Sequence, residues 1–350
     1  MDLDLDFLKA LLSAPGPSSF ESRPAAVFRD RAERLGLTTR RDAYGSVFAV
    51  AGEGRRPRLL LSGHIDEIGL LITYVDEHGF AWFKTVGGWD AQQLVGQRVR
   101  VVGREGDVLG LIGRKPVHLM TTEDRRKVAK IEDLWIDVGA AGRDEALGAL
   151  APGDVAVIEQ PLVELLGGRI ASKAIDDRIG AYVALETARR AAESGCEVIA
   201  SATVQEEIGG VGAGAASFAL EPDVAIAIDV THATDVPGVQ AKQEGDHPLG
   251  SGPELSVGSY VHRGVLELLR ATAEDEGIDV TIGASPRRTA TDADQLARAR
   301  AGVPSAVVSI PNRYMHSSNE MVDPADVEAA VRLLAAFAER LPEAHPVEQP

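Results

Sequence analysis

Val198-Ile199-Ala200-Ser201-Ala202-Thr203-Val204-Gln205-Glu206-Glu207-Ile208-Gly209 carries an apolar run into two adjacent carboxylates and a glycine turn. The run lacks polar alternation, the pattern of a strand buried on both faces. Two carboxylates at the C-terminal end of such a strand desolvate and repel each other unless a cation neutralises them. The stretch therefore predicts a covered sheet with a metal-and-base site at a strand end.

Working outward, the same arrangement recurs. Arg58-Leu59-Leu60-Leu61-Ser62-Gly63 runs into His64-Ile65-Asp66. Val224-Ala225-Ile226-Ala227-Ile228-Asp229-Val230 carries an acid near its end, and Ala306-Val307-Val308-Ser309-Ile310 precedes Arg313-Tyr314-Met315-His316-Ser317. Val47–Ala51 and Val280–Ile282 add strand patterns, and helical patterns cover Asp176–Ser194, Val211–Phe218, Tyr260–Glu276 and Asp326–Leu341. Strands alternating with helices predict an α/β fold, a doubly wound and mostly parallel sheet covered on both faces.

The N-terminal part predicts a short helix over Leu5–Leu12, then a second running to about Leu35 with Gly36 as its C-cap. Ser18, with Glu21 three residues on, reads as a capping box opening that second helix. From 72 to 163 the texture changes to short alternating segments punctuated by Gly and Pro, which predicts a small all-β unit, a barrel or sandwich. The expected organisation is one α/β domain, 1–71 and 164–350, split by an insertion at 72–163. The tail, His345–Pro350, is expected to fray.

In open α/β sheets, ligands gather beyond the C-terminal ends of the strands. His64, Asp66, Asp176, Asp177, Glu206, Glu207, Asp229 and His316 all fall at such ends or in the loops and helix starts that follow them. Each has an ordinary reading taken alone. Asp176 or Asp177 can cap a helix, and Glu pairs are usually solvated. His78, His118, His247, His262 and His345 take the surface reading, while His232 lies near Asp229. It is the shared address that sets the first group apart. Imidazoles and carboxylates without thiolates suit Zn, Co or Mn in a catalytic site. The ligands outnumber what one tetrahedral ion takes and suit two divalent ions sharing a carboxylate. The Glu206–Glu207 pair can supply both a ligand and a general base. Residues two apart on extended backbone point the same way, so Asp66 can orient the His64 imidazole.

Composition sets limits. The 350 residues carry 36 Lys and Arg against 53 Asp and Glu, a formal charge of −17. That excess argues against nucleic-acid or anionic-membrane partners, which need a basic face. The single cysteine, Cys196, excludes an intrachain disulfide or thiolate cluster. The start, MDLDLDFLKALLSAPG, lacks a signal-peptide pattern, and no apolar run is long enough to span a membrane, so a cytoplasmic location is expected.

Four stretches together resemble the glutamyl aminopeptidase and tetrahedral (TET) aminopeptidase group of co-catalytic metallopeptidases. They are His64-Ile65-Asp66-Glu67-Ile68-Gly69, Lys173-Ala174-Ile175-Asp176-Asp177-Arg178, Gln205-Glu206-Glu207-Ile208-Gly209 and Asp229-Val230-Thr231-His232. Gly87-Gly88-Trp89-Asp90, Ile112–His118 and Met315-His316-Ser317 extend the resemblance over nearly the whole chain. It implies that His64 and Asp229 are terminal ligands of one ion and that Glu207 and His316 hold the other. Asp176, rather than Asp177, would bridge them, Glu206 would be the general base, and Asp66 would orient His64. It further implies that the insertion is a PDZ-like dimerisation domain and that dimers assemble into a hollow dodecamer.

The expected reaction is release of N-terminal residues from short peptides. An amidase or deacetylase on the same scaffold is the alternative, and a non-catalytic scaffold protein is disfavoured by the complete ligand set. Asn312–Tyr314 and Ser256–His262 are the expected walls of the specificity pocket.

Overall fold

The computed structural model describes residues 3–344, so the tail expected to fray, His345–Pro350, and the surface reading of His345 lie outside the described residues. Eight strands form the central sheet: β1 (Thr38–Arg41), β2 (Val47–Ala51), β3 (Arg58–His64), β4 (Glu197–Thr203), β5 (Val224–His232), β6 (Glu254–Gly258), β7 (Thr281–Ser285) and β8 (Ser305–Asn312). Their spatial order is β1-β2-β4-β3-β5-β8-β6-β7. The inner run β4-β3-β5-β8 is parallel, as is β6 with β7, while β2 on β4 and β6 on β8 are antiparallel. The sheet is thus mixed, with the parallel strands at its centre, where the apolar runs lie.

Those runs are continuous because each strand packs on both sides. Leu59 and Leu61 join a core shared with the helices Leu5–Ser13, Ser22–Arg34, Ile175–Arg190, Arg263–Asp275 and Pro324–Arg340. Leu60 points the other way, into a smaller core with Ala213, Ala216, Ala293 and Leu296. The helix Ile175–Arg190 crosses β3 so closely that a Cβ on Gly63 would lie 2.2 Å from the Ala181 nitrogen. That approach brings the acidic start of the helix against the end of β3.

Six strands between Gly69 and Ile158 close into a barrel with its own apolar core, including Leu70, Val99, Val101, Ile112 and Ile136. The barrel leans on the α/β body through the Arg23–Asp107 ion pair at 2.6 Å and through contacts described below.

Three expectations are corrected. The second helix starts at Ser22, and Ser18 caps nothing: its hydroxyl donates to Asp66 Oδ2 at 2.7 Å. Glu21 accepts the N–H groups of Ser19 and Gln205 instead of closing a capping box. The demands of the site outweigh the local capping preference. His247, expected at the surface, is buried with Nδ1 2.7 Å from the Thr281 hydroxyl. No helix among the described residues is long and apolar enough to cross a membrane.

Candidate metal centre

The end of β3 delivers His64, buried against the helix start. Its Nδ1 faces two acceptors of Asp66, the backbone carbonyl at 3.3 Å and Oδ1 at 3.5 Å. Acceptors on that side require Nδ1 to carry the hydrogen, which leaves Nε2 for the site. His64 Nε2 lies 3.1 Å from Asp176 Oδ1. On the other side, His316 Nε2 lies 3.4 Å from Asp176 Oδ2 and 3.2 Å from Glu207 Oε1. The His316 Nδ1–H donates to the Gly88 carbonyl at 3.0 Å. Asp176 therefore presents one oxygen to each imidazole.

Asp177 plays a different part. Its oxygens accept the backbone N–H groups of His64 (3.1 Å) and Gly180 (3.2 Å), and it has no exposure. Asp176 departs from helical geometry at the start of its helix, with ψ 107°. This turns its carboxylate into the cavity, while Asp177 points back to the backbone.

The other ligand candidates converge on the same place. Among the described residues, donor atoms of His64, Asp176 and Glu207 lie within 4.8 Å of one another, as do those of His64, Asp177 and Asp229. Glu206 Oε2 is 3.9 Å from His64 Nε2. A cavity of about 540 Å³ opens over His64, Asp176, Glu206, Glu207, Asp229 and His316. That size admits a peptide end.

Buried carboxylates hold these candidate residues by their backbones. Asp66 accepts the N–H groups of Glu206 (3.1 Å) and Glu207 (3.2 Å). Glu320, also buried, accepts those of Asp176 (2.8 Å) and His316 (2.9 Å). The second brace matters because His316 sits at φ 58°, a conformation that costs a non-glycine residue about 1–3 kcal/mol. Behind them, Glu67 bridges Lys173 Nζ at 2.7 Å and Arg178 at 2.9 Å. Arg178 also donates to the carbonyls of Ile65 and Leu11, tying the His64 loop to the first helix.

Sequence reasoning misses Glu320, Asp177's backbone role and Glu67. Their one signal is position: each is an acid within four residues of a candidate ligand. The expected pocket walls are also corrected. Asn312 is buried, its Oδ1 accepting the Met321 N–H, and Ser256–His262 are not among the residues that line the cavity. Thr289–Thr291, Gln295, Val230–His232 and Met315 line it instead.

The electrostatics show a site short of positive charge. Burial pushes Glu206 up to about 9, with His64 opposing and Asp229, Asp292 and Glu207 adding to the rise. Burial likewise raises Asp229 and Glu207. Hydrogen bonds to the Asp176 and Glu207 carboxylates push His316 up to about 11. Burial opposes ionisation of Asp66, yet its bonds to His64, Ser18 and Glu206 hold it below the usual carboxylate range. Imidazole nitrogens aimed at carboxylate oxygens need a proton or a cation between them. The donor set, nitrogen and oxygen with no sulfur, fits divalent cations.

An imidazole–carboxylate centre at the C-terminal edge of an α/β sheet defines the class: a metal-dependent hydrolase. Residues 45–333 match the M42 glutamyl aminopeptidase family, and the chain belongs to that family, its activity being that of an aminopeptidase. It is 33% identical to the lysyl aminopeptidase of Pyrococcus furiosus, over 97% of this chain and 98% of that one. The crystal structure of a TET aminopeptidase from the marine sediment archaeon Thaumarchaeota archaeon SCGC AB-539-E09 superposes with a TM-score of 0.92 at 35% identity, covering 96% of both chains. The TET1 peptidase of Pyrococcus horikoshii, which can assemble into a tetrahedron or a large octahedral shell, matches at 0.83 and 32%, covering 95% of this chain and 98% of that one.

Proposed function

We propose that the chain removes N-terminal residues from short peptides using two divalent ions, with Zn and Co favoured and Mn also suited. One pair of ligands is His64 and Asp229, the other Glu207 and His316, and Asp176 bridges them. The observation that carries this reading is the split of Asp176, one oxygen toward each imidazole nitrogen. When bound, such ions polarise a carbonyl and lower the pKa of water.

The protein's own residues do the rest. Asp66 and the Gly88 carbonyl keep hydrogens on the Nδ1 atoms, so both Nε2 lone pairs face the centre. Glu206 reaches the floor of the cavity without a fixed hydrogen-bond partner for its carboxylate among the described residues. It is the general base: it takes a proton from the attacking water and passes it to the leaving amine. The acid-rich floor favours a cationic α-amino group on the substrate, which makes the enzyme an exopeptidase.

The barrel supports the further reading of residues 72–163 as an inserted PDZ-like dimerisation domain, with 1–71 and 164–350 as the catalytic domain. Assembly of dimers into a dodecamer follows by analogy with the related PhTET1 structure, a dodecamer, and a cytoplasmic location fits peptide turnover. A panel of peptides with free and acetylated N-termini, assayed with Zn, Co and Mn, tests the reading. Cleavage confined to free amines supports it. Preferred cleavage of acetylated substrates would point to the amidase or deacetylase alternative.

A further inference from the structure

We infer that the barrel is a positioning element for one half of the metal centre, acting on His316 through Gly88. The inference rests on the ligand assignment above. His316 has two ring nitrogens, and Nε2 faces Asp176 and Glu207. The remaining hydrogen, on Nδ1, goes to the Gly88 carbonyl at 3.0 Å. Gly88 lies between the barrel strand Ala81–Val86 and the short helix Ala91–Leu94. The imidazole's orientation is therefore set by backbone from the β unit rather than from the α/β body.

The packing around this bond explains the residue types. A Cβ on Gly88 would lie 3.0 Å from His316 Nδ1. A Cβ on Gly87 would lie 3.2 Å from Glu207 Oε2 and 2.5 Å from Ile68 Cγ2. The two glycines thus press their backbone against Glu207 and His316, the pair assigned to one ion, and against neither His64 nor Asp229. A second contact reinforces the first: the Gln97 side-chain amide donates to Ser318 Oγ at 3.1 Å, two residues from His316. Partners that fix a ligating imidazole typically change metal affinity about 10–100-fold when lost. The barrel and the His316–Glu207 ion are linked, so movement of one is felt by the other.

The test is calorimetric titration of the metal-free full chain with Zn²⁺. Wild-type protein should show two sites. Gly88→Ala should weaken one site about tenfold or more and leave the other within about twofold, and Gln97→Ala should weaken the same site by a smaller factor. Gly148→Ala, in a barrel helix with open space around the glycine, should change neither. If Gly88→Ala does not fold, Gln97→Ala decides. Wild-type affinity at both sites in the folded variants, or equal weakening of both, would overturn the inference. His316→Ala separates the two layers: if it too leaves both sites unchanged, the ligand assignment itself has failed.

Discussion

The Asp66 carboxylate accepts the backbone N–H of Glu206 at 3.1 Å while its other contacts face His64, Glu207 and the Ser18 hydroxyl. One buried acid thereby ties the end of β3 to the turn after β4. Glu320 does the same for Asp176 and His316. The centre is thus braced by acids that do not themselves enter the cavity.

Replacing Glu206 by Gln should lower kcat by about two to four decades, the usual worth of a general base. Metal content, measured by elemental analysis, should stay at the wild-type level, because Glu206 is not among the five proposed ligands.

Asp66→Ala removes the carboxylate beside His64 Nδ1, leaving only the backbone carbonyl there, and takes the acceptor from the N–H groups of Glu206 and Glu207. Metal affinity should fall about 10–100-fold, read by titration with Co²⁺. Asp66→Asn keeps one acceptor oxygen and should lie between the wild type and the alanine variant.

Glu320→Ala strands the buried N–H of Asp176 and the partly buried N–H of His316, the buried one costing about 1–3 kcal/mol and the other less. Urea unfolding of the variant should show a loss of about 2–5 kcal/mol, and His316, freed from its left-handed backbone position, should bind metal more weakly.

The pH dependence follows from groups whose folded values lie above their ordinary ones. Glu206 rises from 4.5 to about 9 and His316 from 6.5 to about 11 without metal. Raised folded values mean that the native state binds more protons than the unfolded chain. That stability is complete below the ordinary values and is lost as pH rises through the folded ones. The Tm of metal-free protein should therefore begin to drop above pH 4.5 and go on dropping to about pH 11, and added metal should restore most at the alkaline end. Calorimetry in buffers of different ionisation enthalpy should show proton release on binding at pH 7.5, since the cation replaces those protons.

The parallel core strands and the site's address were legible because both leave strong marks: unbroken apolar runs, and polar groups at their ends. His64, Asp176, Glu206, Glu207, Asp229 and His316 line one cavity. What escaped is set by long-range geometry. Ser18 has the spacing of a helix cap, yet a carboxylate 48 residues away claims its hydroxyl. Glu320 looks like any acid after a turn, and only the meeting of two loops makes it a brace. The roles of Asp176 and Asp177 cannot be separated by residue type, since both are aspartates; the backbone at Asp176 separates their directions.

The central claim is that Asp176 joins two cations. Anomalous diffraction from crystals grown with Zn²⁺ tests it most directly. The account predicts two peaks, one against His64 and Asp229, one against Glu207 and His316, with an Asp176 oxygen bound to each. A single peak, or a pair bridged by Asp177 with Asp176 turned away, would contradict it.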